Sequence, residues 1–86
     1  MPTISRFYGI VIRMFYDDHF PAHFHAVYNE YELVVGVSPL QVLAGRSPNR
    51  VRSLVLEWAG AHLEELTENW NRCRAGQQPR RIEPLE

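Results

Sequence analysis

Residues 23–37 have the sequence HFHAVYNEYELVVGV, and this stretch decides the fold. It is rich in β-branched and aromatic residues, which favour β-strands. Asn29 and Glu30 interrupt it near the middle, and asparagine tolerates the left-handed backbone that tight turns require. The stretch therefore predicts a hairpin with strands over residues 23–28 and 31–37.

The segment before this hairpin also favours β-structure. Residues 4–16 predict one long strand, in which Ile10, Ile12 and Met14 share the face that we expect to enter the core. Gly9 marks a bulge or a close approach of the backbone to its neighbours. Together with the hairpin, this strand predicts a small antiparallel sheet.

Beyond the hairpin the pattern changes from strand to helix. Residues 40–43 predict a short fourth strand that Gly45 closes. Ser47 and Pro48 are typical of a helix start, with a side-chain cap followed by proline at the first helical position. We expect one helix from there to about Arg74, ending at Gly76.

The helix presents one apolar side. Trp58, Leu66 and Trp70 are the expected anchors on the sheet, and His62 lies in the middle of that side, where we expect it to be buried. The prolines of residues 79–84 favour an extended tail, which Ile82 and Leu85 hold against the body. The expected fold is α+β: a three- to four-stranded antiparallel sheet packed by one long helix, with an extended C-terminal tail, in a single domain over residues 1–86.

Composition limits the classes of function. The chain has 86 residues, 45% of them hydrophobic, which suits a packed globular core. It has no apolar run of membrane-spanning length and no secretion signal, and its one cysteine fits a reducing compartment. We therefore expect a cytoplasmic protein without membrane contact. The net charge of −1 argues against general polyanion binding.

Histidines supply the clearest candidate site. Three of the four histidines, His19, His23 and His25, lie within residues 19–25, and Asp18 precedes them. His23 and His25 are two apart on a strand and so face the same side, while His19 is within reach on the preceding loop. Imidazole is the commonest metal ligand, so these three histidines are candidate ligands of a divalent metal such as zinc. The alternative is that Asp18 and the three histidines contact a partner or support the loop.

The whole chain resembles the bacterial family known as domain of unknown function 4160. The resemblance rests on Pro2-Thr3-Ile4, Phe7-Tyr8-Gly9-Ile10, Asp18-His19-x-Pro21-x-His23-Phe24-His25, Glu57-Trp58, His62 with Glu65-Leu66, Asn69-Trp70 and Ile82-x-Pro84-Leu85. Ala22 departs from the pattern, because the family tends to repeat proline there. The resemblance implies no activity. It implies a small bacterial protein encoded beside another short protein, an arrangement like that of toxin–antitoxin pairs.

Three functions are therefore compatible with the sequence. The first is a protein-interaction module of a two-gene, toxin–antitoxin-like system, with a small protein as partner or a second copy of the chain. The second is a metal-dependent hydrolase or nuclease-like toxin that uses the histidines to activate water. The third is nucleic-acid binding, which the net charge disfavours, through two arginine groups: Arg46, Arg50 and Arg52, and Arg72, Arg74, Arg80 and Arg81. If the histidines and acidic residues converge on one open pocket, the enzyme is favoured. If they project apart, the enzyme loses its main support.

Overall fold

The structure, a computed structural model, describes residues 2–16 and 19–86. In this part of the chain, five strands precede two helices: β1 (Thr3–Phe7), β2 (Ile10–Arg13), β3 (His23–Tyr28), β4 (Tyr31–Val37), β5 (Leu40–Arg46), α1 (Asn49–Ala61) and α2 (Leu63–Arg74). The strands form one antiparallel sheet in chain order. The predicted α+β class is confirmed, but the expected three or four strands and single long helix are wrong.

The extra strand comes from a turn inside the segment predicted as one strand. Phe7 pairs with Ile10, so Tyr8 and Gly9 form a two-residue hairpin loop. Both residues have positive φ, 52° for Tyr8 and 80° for Gly9, which is the geometry of a type I′ turn. Gly9 therefore marks a chain reversal rather than the predicted bulge.

The hairpin of residues 23–37 forms as predicted. Tyr28 pairs with Tyr31, and Asn29 takes the positive φ, 51°, that the turn requires. The fourth predicted strand is longer than expected, since β5 continues to Arg46. Gly45 lies inside it at φ 88°, where an added Cβ would overlap the carbonyl oxygen of Glu32, so only glycine fits.

The predicted long helix is divided at His62. This residue has φ −131° and ψ 29°, outside the helical region, and its backbone N–H donates to Ala59 while its ring Nδ1 lies 2.6 Å from Glu65 Oε1. The His62 side chain is 19% exposed and its ring packs against that of Trp58, but the residue lies at a break between two helices and not, as predicted, in the middle of one. Glu64 and Glu65 lie in the first turn of α2, where acidic side chains favour a helix N-terminus.

The start of α1 differs from the prediction by about one residue. The helix begins at Asn49, with Pro48 as its N-terminal flanking residue and no side-chain cap. The Ser47 hydroxyl donates instead to the carbonyl of Pro48, at 3.1 Å. The predicted serine cap is therefore wrong, although the position of the helix is nearly right.

The core lies between one sheet face and the two helices. The predicted core face of β2 is confirmed, because Ile10, Ile12 and Met14 are fully buried. The three predicted helix anchors are also buried: Trp58, Leu66 and Trp70. In the described ranges, neither helix has the length and apolar character needed to cross a bilayer.

The C-terminal tail is extended and held by backbone bonds. The backbone N–H of Ile82 donates to Ile4 of β1 at 2.8 Å, and the indole N–H of Trp58 donates to Glu83 at 2.8 Å. Asn69 forms a two-point bond with the backbone N–H and C=O of Arg80. The tail thus lies beside β1 and across both helices, which confirms its predicted extension and the role of Ile82.

Candidate functional site

Strand β3 positions two of the candidate histidines. Phe24 and Ala26 are buried in the core, so the alternating residues His23 and His25 project from the other side of the strand. Their ring centroids are 5.3 Å apart, and the ring of His19 lies 6.3 Å from that of His23. The loop therefore brings all three imidazoles into one neighbourhood.

Hydrogen bonds orient the two strand histidines. His23 Nδ1 lies 2.7 Å from the carbonyl oxygen of Pro21, and His25 Nδ1 lies 2.8 Å from Glu32 Oε2. A carbonyl and a carboxylate only accept, so both Nδ1 atoms carry the hydrogen. In the neutral ring the lone pair then belongs to Nε2. The two Nε2 atoms are the ones that can accept a hydrogen bond or ligate an ion.

Aromatic rings and one arginine surround the histidines. The ring centroids of Phe20 and Trp70 are 5.7 Å apart. The guanidinium carbon of Arg74 lies 4.5 Å from the centroid of the Phe20 ring. The Trp70 ring is also 5.1 Å from that of His23. Phe20 is nevertheless 65% exposed, whereas Trp70 is buried beneath it. We call this group the histidine surface: His19, Phe20, His23, His25, Trp70 and Arg74.

His25 also has neighbours in β2 and just after it. Phe15 meets the His25 ring edge-on, with centroids 4.4 Å apart. Arg13 is the cross-strand partner of His25, and its Nε is buried without an acceptor among the described residues. His25 therefore contacts the ring of Phe15 and the carboxylate of Glu32, and Arg13 lies opposite it on β2.

The described residues alone do not form the predicted metal site. Within residues 2–16 and 19–86, no group of three or more His, Cys, Asp or Glu side chains is arranged to hold a metal ion. Asp18, a predicted site residue, lies outside the described residues. A metal site at His19, His23 and His25 therefore stays a prediction.

Cys73 is not a candidate nucleophile. It is a free cysteine buried in α2, and burial raises the pKa of its thiol, with Arg72 opposing the rise. A raised pKa keeps the sulfur in its weakly nucleophilic thiol form. Cys73 is therefore a core residue.

Sequence reasoning missed most neighbours of the histidines. Trp70 and Arg74 come from α2, too far along the chain for spacing to place them. Glu32 left a detectable signal, because the hairpin register pairs it with Val27 and so makes it a diagonal neighbour of His25 on the same face. Phe20 was part of the histidine segment but was not identified as an exposed contact residue.

The chain matches one known protein family. Residues 9–71 match the model of a family described as Domain of unknown function (DUF4160). The match spans most of the chain and includes the histidine segment, so the protein belongs to this family. No curated protein and no solved structure matches the chain.

Proposed function

We propose that this protein is a protein-interaction module of a two-gene, toxin–antitoxin-like system and binds its partner through the histidine surface. One observation carries the proposal: Phe20 is 65% exposed, yet its ring contacts both the Trp70 ring and the Arg74 guanidinium. Aromatic and arginine side chains dominate the binding energy of protein interfaces. A ring that is already fixed loses little conformational entropy when a partner covers it.

The partner is expected to be a small protein encoded beside this one, as the family resemblance implies. It would place apolar side chains on Phe20 and polar groups near the histidines at the rim. The single, buried thiol of Cys73 suits a reducing compartment such as the cytoplasm.

Co-expression with the product of the neighbouring gene tests the proposal. A tagged partner should retain the wild-type protein on a column, whereas Phe20→Ser should lose it. Leu63→Ser is the matched control, because Leu63 is another exposed apolar residue, 38% accessible, outside the histidine surface. Both variants should keep the wild-type Tm within a few degrees. Equal retention of Phe20→Ser and wild type would contradict the proposed site.

A second function has one observation in its favour. His25 bonds through Nδ1 to Glu32, and metal-ligating histidines commonly donate their other ring nitrogen to a carboxylate or carbonyl. A metal-dependent hydrolase or nuclease-like toxin would use His19, His23 and His25 as ligands, and Arg13 would hold a phosphate. This function needs a ligand set larger than the one that the described residues supply.

Elemental analysis of protein purified without a histidine tag distinguishes the two functions. An enzyme of this kind would retain a stoichiometric divalent metal, such as zinc, and would lose it as pH falls and the imidazoles become protonated. A binding module would retain its partner without stoichiometric metal. Metal in the wild type but not in His23→Ala would favour the enzyme.

A further inference from the structure

A second candidate binding site lies at the opposite end of β3 from the histidine surface. His23 begins this strand and Tyr28 ends it, which places the two regions roughly 15 Å apart. A cavity of about 240 Å³ opens there between the β1–β2 turn and the first turns of α1. Its lining residues are Tyr8, Tyr28, Pro48, Arg50, Val51 and Leu54.

Tyr8 occupies an unusual position for its residue type. It is the first residue of the type I′ turn, at φ 52°, where asparagine, aspartate and glycine are favoured. A bulky residue with positive φ is an outlier, and backbone strain of this kind clusters at functional sites. The side chain is 57% exposed, so packing in the core does not account for it. The turn instead holds an aromatic ring at the rim of the cavity.

Tyr28 forms the neighbouring part of the wall. A Cβ at Gly9 would lie 3.4 Å from Tyr28 Cε1, so the tyrosine ring lies directly against the turn that carries Tyr8. Pro48 and Leu54 add apolar surface from α1. Aromatic rings beside apolar side chains are typical of grooves that bind extended, proline-containing peptides.

The charge on this site is positive. Arg50 lines the cavity, and none of the carboxylates among the described residues forms an ion pair with it. The first turn of α1, which carries Arg50, contains no acidic residue. A ligand with a carboxylate is therefore complementary to this region.

The cavity size selects the kind of ligand. Pockets for cofactors and drug-sized molecules usually enclose about 300–1,000 Å³. A cavity of about 240 Å³ is smaller than that range and suits one or two side chains of a peptide. We propose that this cavity is a docking site for an extended acidic segment of a partner protein, which inserts an apolar side chain between Tyr8 and Tyr28 and places a carboxylate on Arg50.

Fluorescence anisotropy with a fluorescein-labelled peptide of repeating Pro-Leu-Glu tests this proposal. We expect binding by the wild-type protein that weakens about tenfold in Tyr8→Asn and in Arg50→Gln. Arg52→Gln is the matched control and should bind as the wild type does, because Arg52 is exposed but does not line the cavity. Tyr8→Asn removes the ring while giving the turn its preferred residue, so lost binding could not be attributed to unfolding.

Two further measurements separate this site from its alternatives. A peptide of repeating Pro-Leu-Gln should bind at least about tenfold more weakly than the glutamate peptide, and Phe20→Ser should leave peptide binding unchanged, since the proposal does not depend on the histidine surface. The proposal would be overturned by equal binding of the two peptides or by no binding at about 1 mM peptide. It would equally be overturned if adenosine monophosphate bound the cavity while the peptide did not.

Discussion

Trp58 is the residue whose replacement should damage the fold most. Its side chain is fully buried, and its ring contacts those of Phe7 at 5.4 Å, Phe24 at 5.8 Å and His62 at 5.5 Å. Its indole N–H also donates to Glu83 in the tail at 2.8 Å. Trp58 therefore joins the first hairpin, β3, the helix break and the C-terminal tail.

The cost of Trp58→Ala follows from these contacts. Truncating a buried tryptophan to alanine costs about 3–5 kcal/mol, and the lost hydrogen bond adds about 1 kcal/mol. A chain of 86 residues has a total stability of about 4–13 kcal/mol, at about 0.05–0.15 kcal/mol per residue. The substitution should therefore remove between a third and all of the free energy of unfolding.

Urea denaturation followed by far-ultraviolet circular dichroism measures this loss. Trp58→Phe is the matched variant, because it keeps an aromatic ring in the core and removes the indole N–H; we expect a loss of about 1–3 kcal/mol. If Trp58→Ala unfolds at nearly the wild-type urea concentration with the same slope, the contacts described for Trp58 do not stabilise the domain and the reasoning is refuted.

Three smaller predictions concern the tail, the first turn and the cysteine. Asn69→Ala should lower the free energy of unfolding by about 2–4 kcal/mol in the same urea assay, because the backbone N–H and C=O of Arg80 both lose their partner. Asn71→Ala is the control: Asn71 is exposed, so its replacement should change stability by at most about 0.5 kcal/mol. Equal effects of the two substitutions would show that Asn69 does not hold the tail. Tyr8→Asn should raise the stability by about 1 kcal/mol, since asparagine tolerates the positive φ, and a lower Tm would contradict the turn assignment. Because burial raises the pKa of Cys73, the folded state disfavours its thiolate, so Tm should fall as pH rises above the ordinary thiol range, and this fall should be smaller in Cys73→Ala; an identical pH dependence of the two proteins would contradict the effect.

The sheet could be predicted from local patterns only where turn residues were conventional. The Asn29–Glu30 turn and the strands on either side follow from composition, and the hairpin forms as expected. The Tyr8–Gly9 turn was missed because tyrosine and its neighbours favour continuous strand, and tyrosine is uncommon at the positive φ that this turn requires. That missed turn accounts for the additional strand.

The break between the two helices was also missed, because the local sequence pattern does not mark it. Residues 49–74 have helical periodicity on both sides of His62, and the break itself contains neither proline nor glycine. The adjacent Glu64 and Glu65 were the available signal, since acidic residues are favoured in the first turn of a helix. Periodicity alone could not distinguish two consecutive helices from one.

The candidate site was predictable in part. The alternation of strand β3 placed His23 and His25 on one side of the strand, and the short loop kept His19 near them. The contacts of Phe20 with Trp70 and Arg74 depend on where the tertiary structure places α2, which no local pattern specifies. The residue that carries the proposed function therefore became evident only from the tertiary structure.

Chemical-shift mapping of the partner-binding site on this protein tests the central claim most directly. The ¹⁵N-labelled protein would be titrated with the unlabelled product of the neighbouring gene, and amide shifts would be followed along the chain. Binding through the histidine surface predicts that the largest shifts fall in residues 19–25 and 70–74 and disappear in Phe20→Ser. Saturable binding whose shifts avoid both segments, or a partner that causes no shifts at all, would contradict the account.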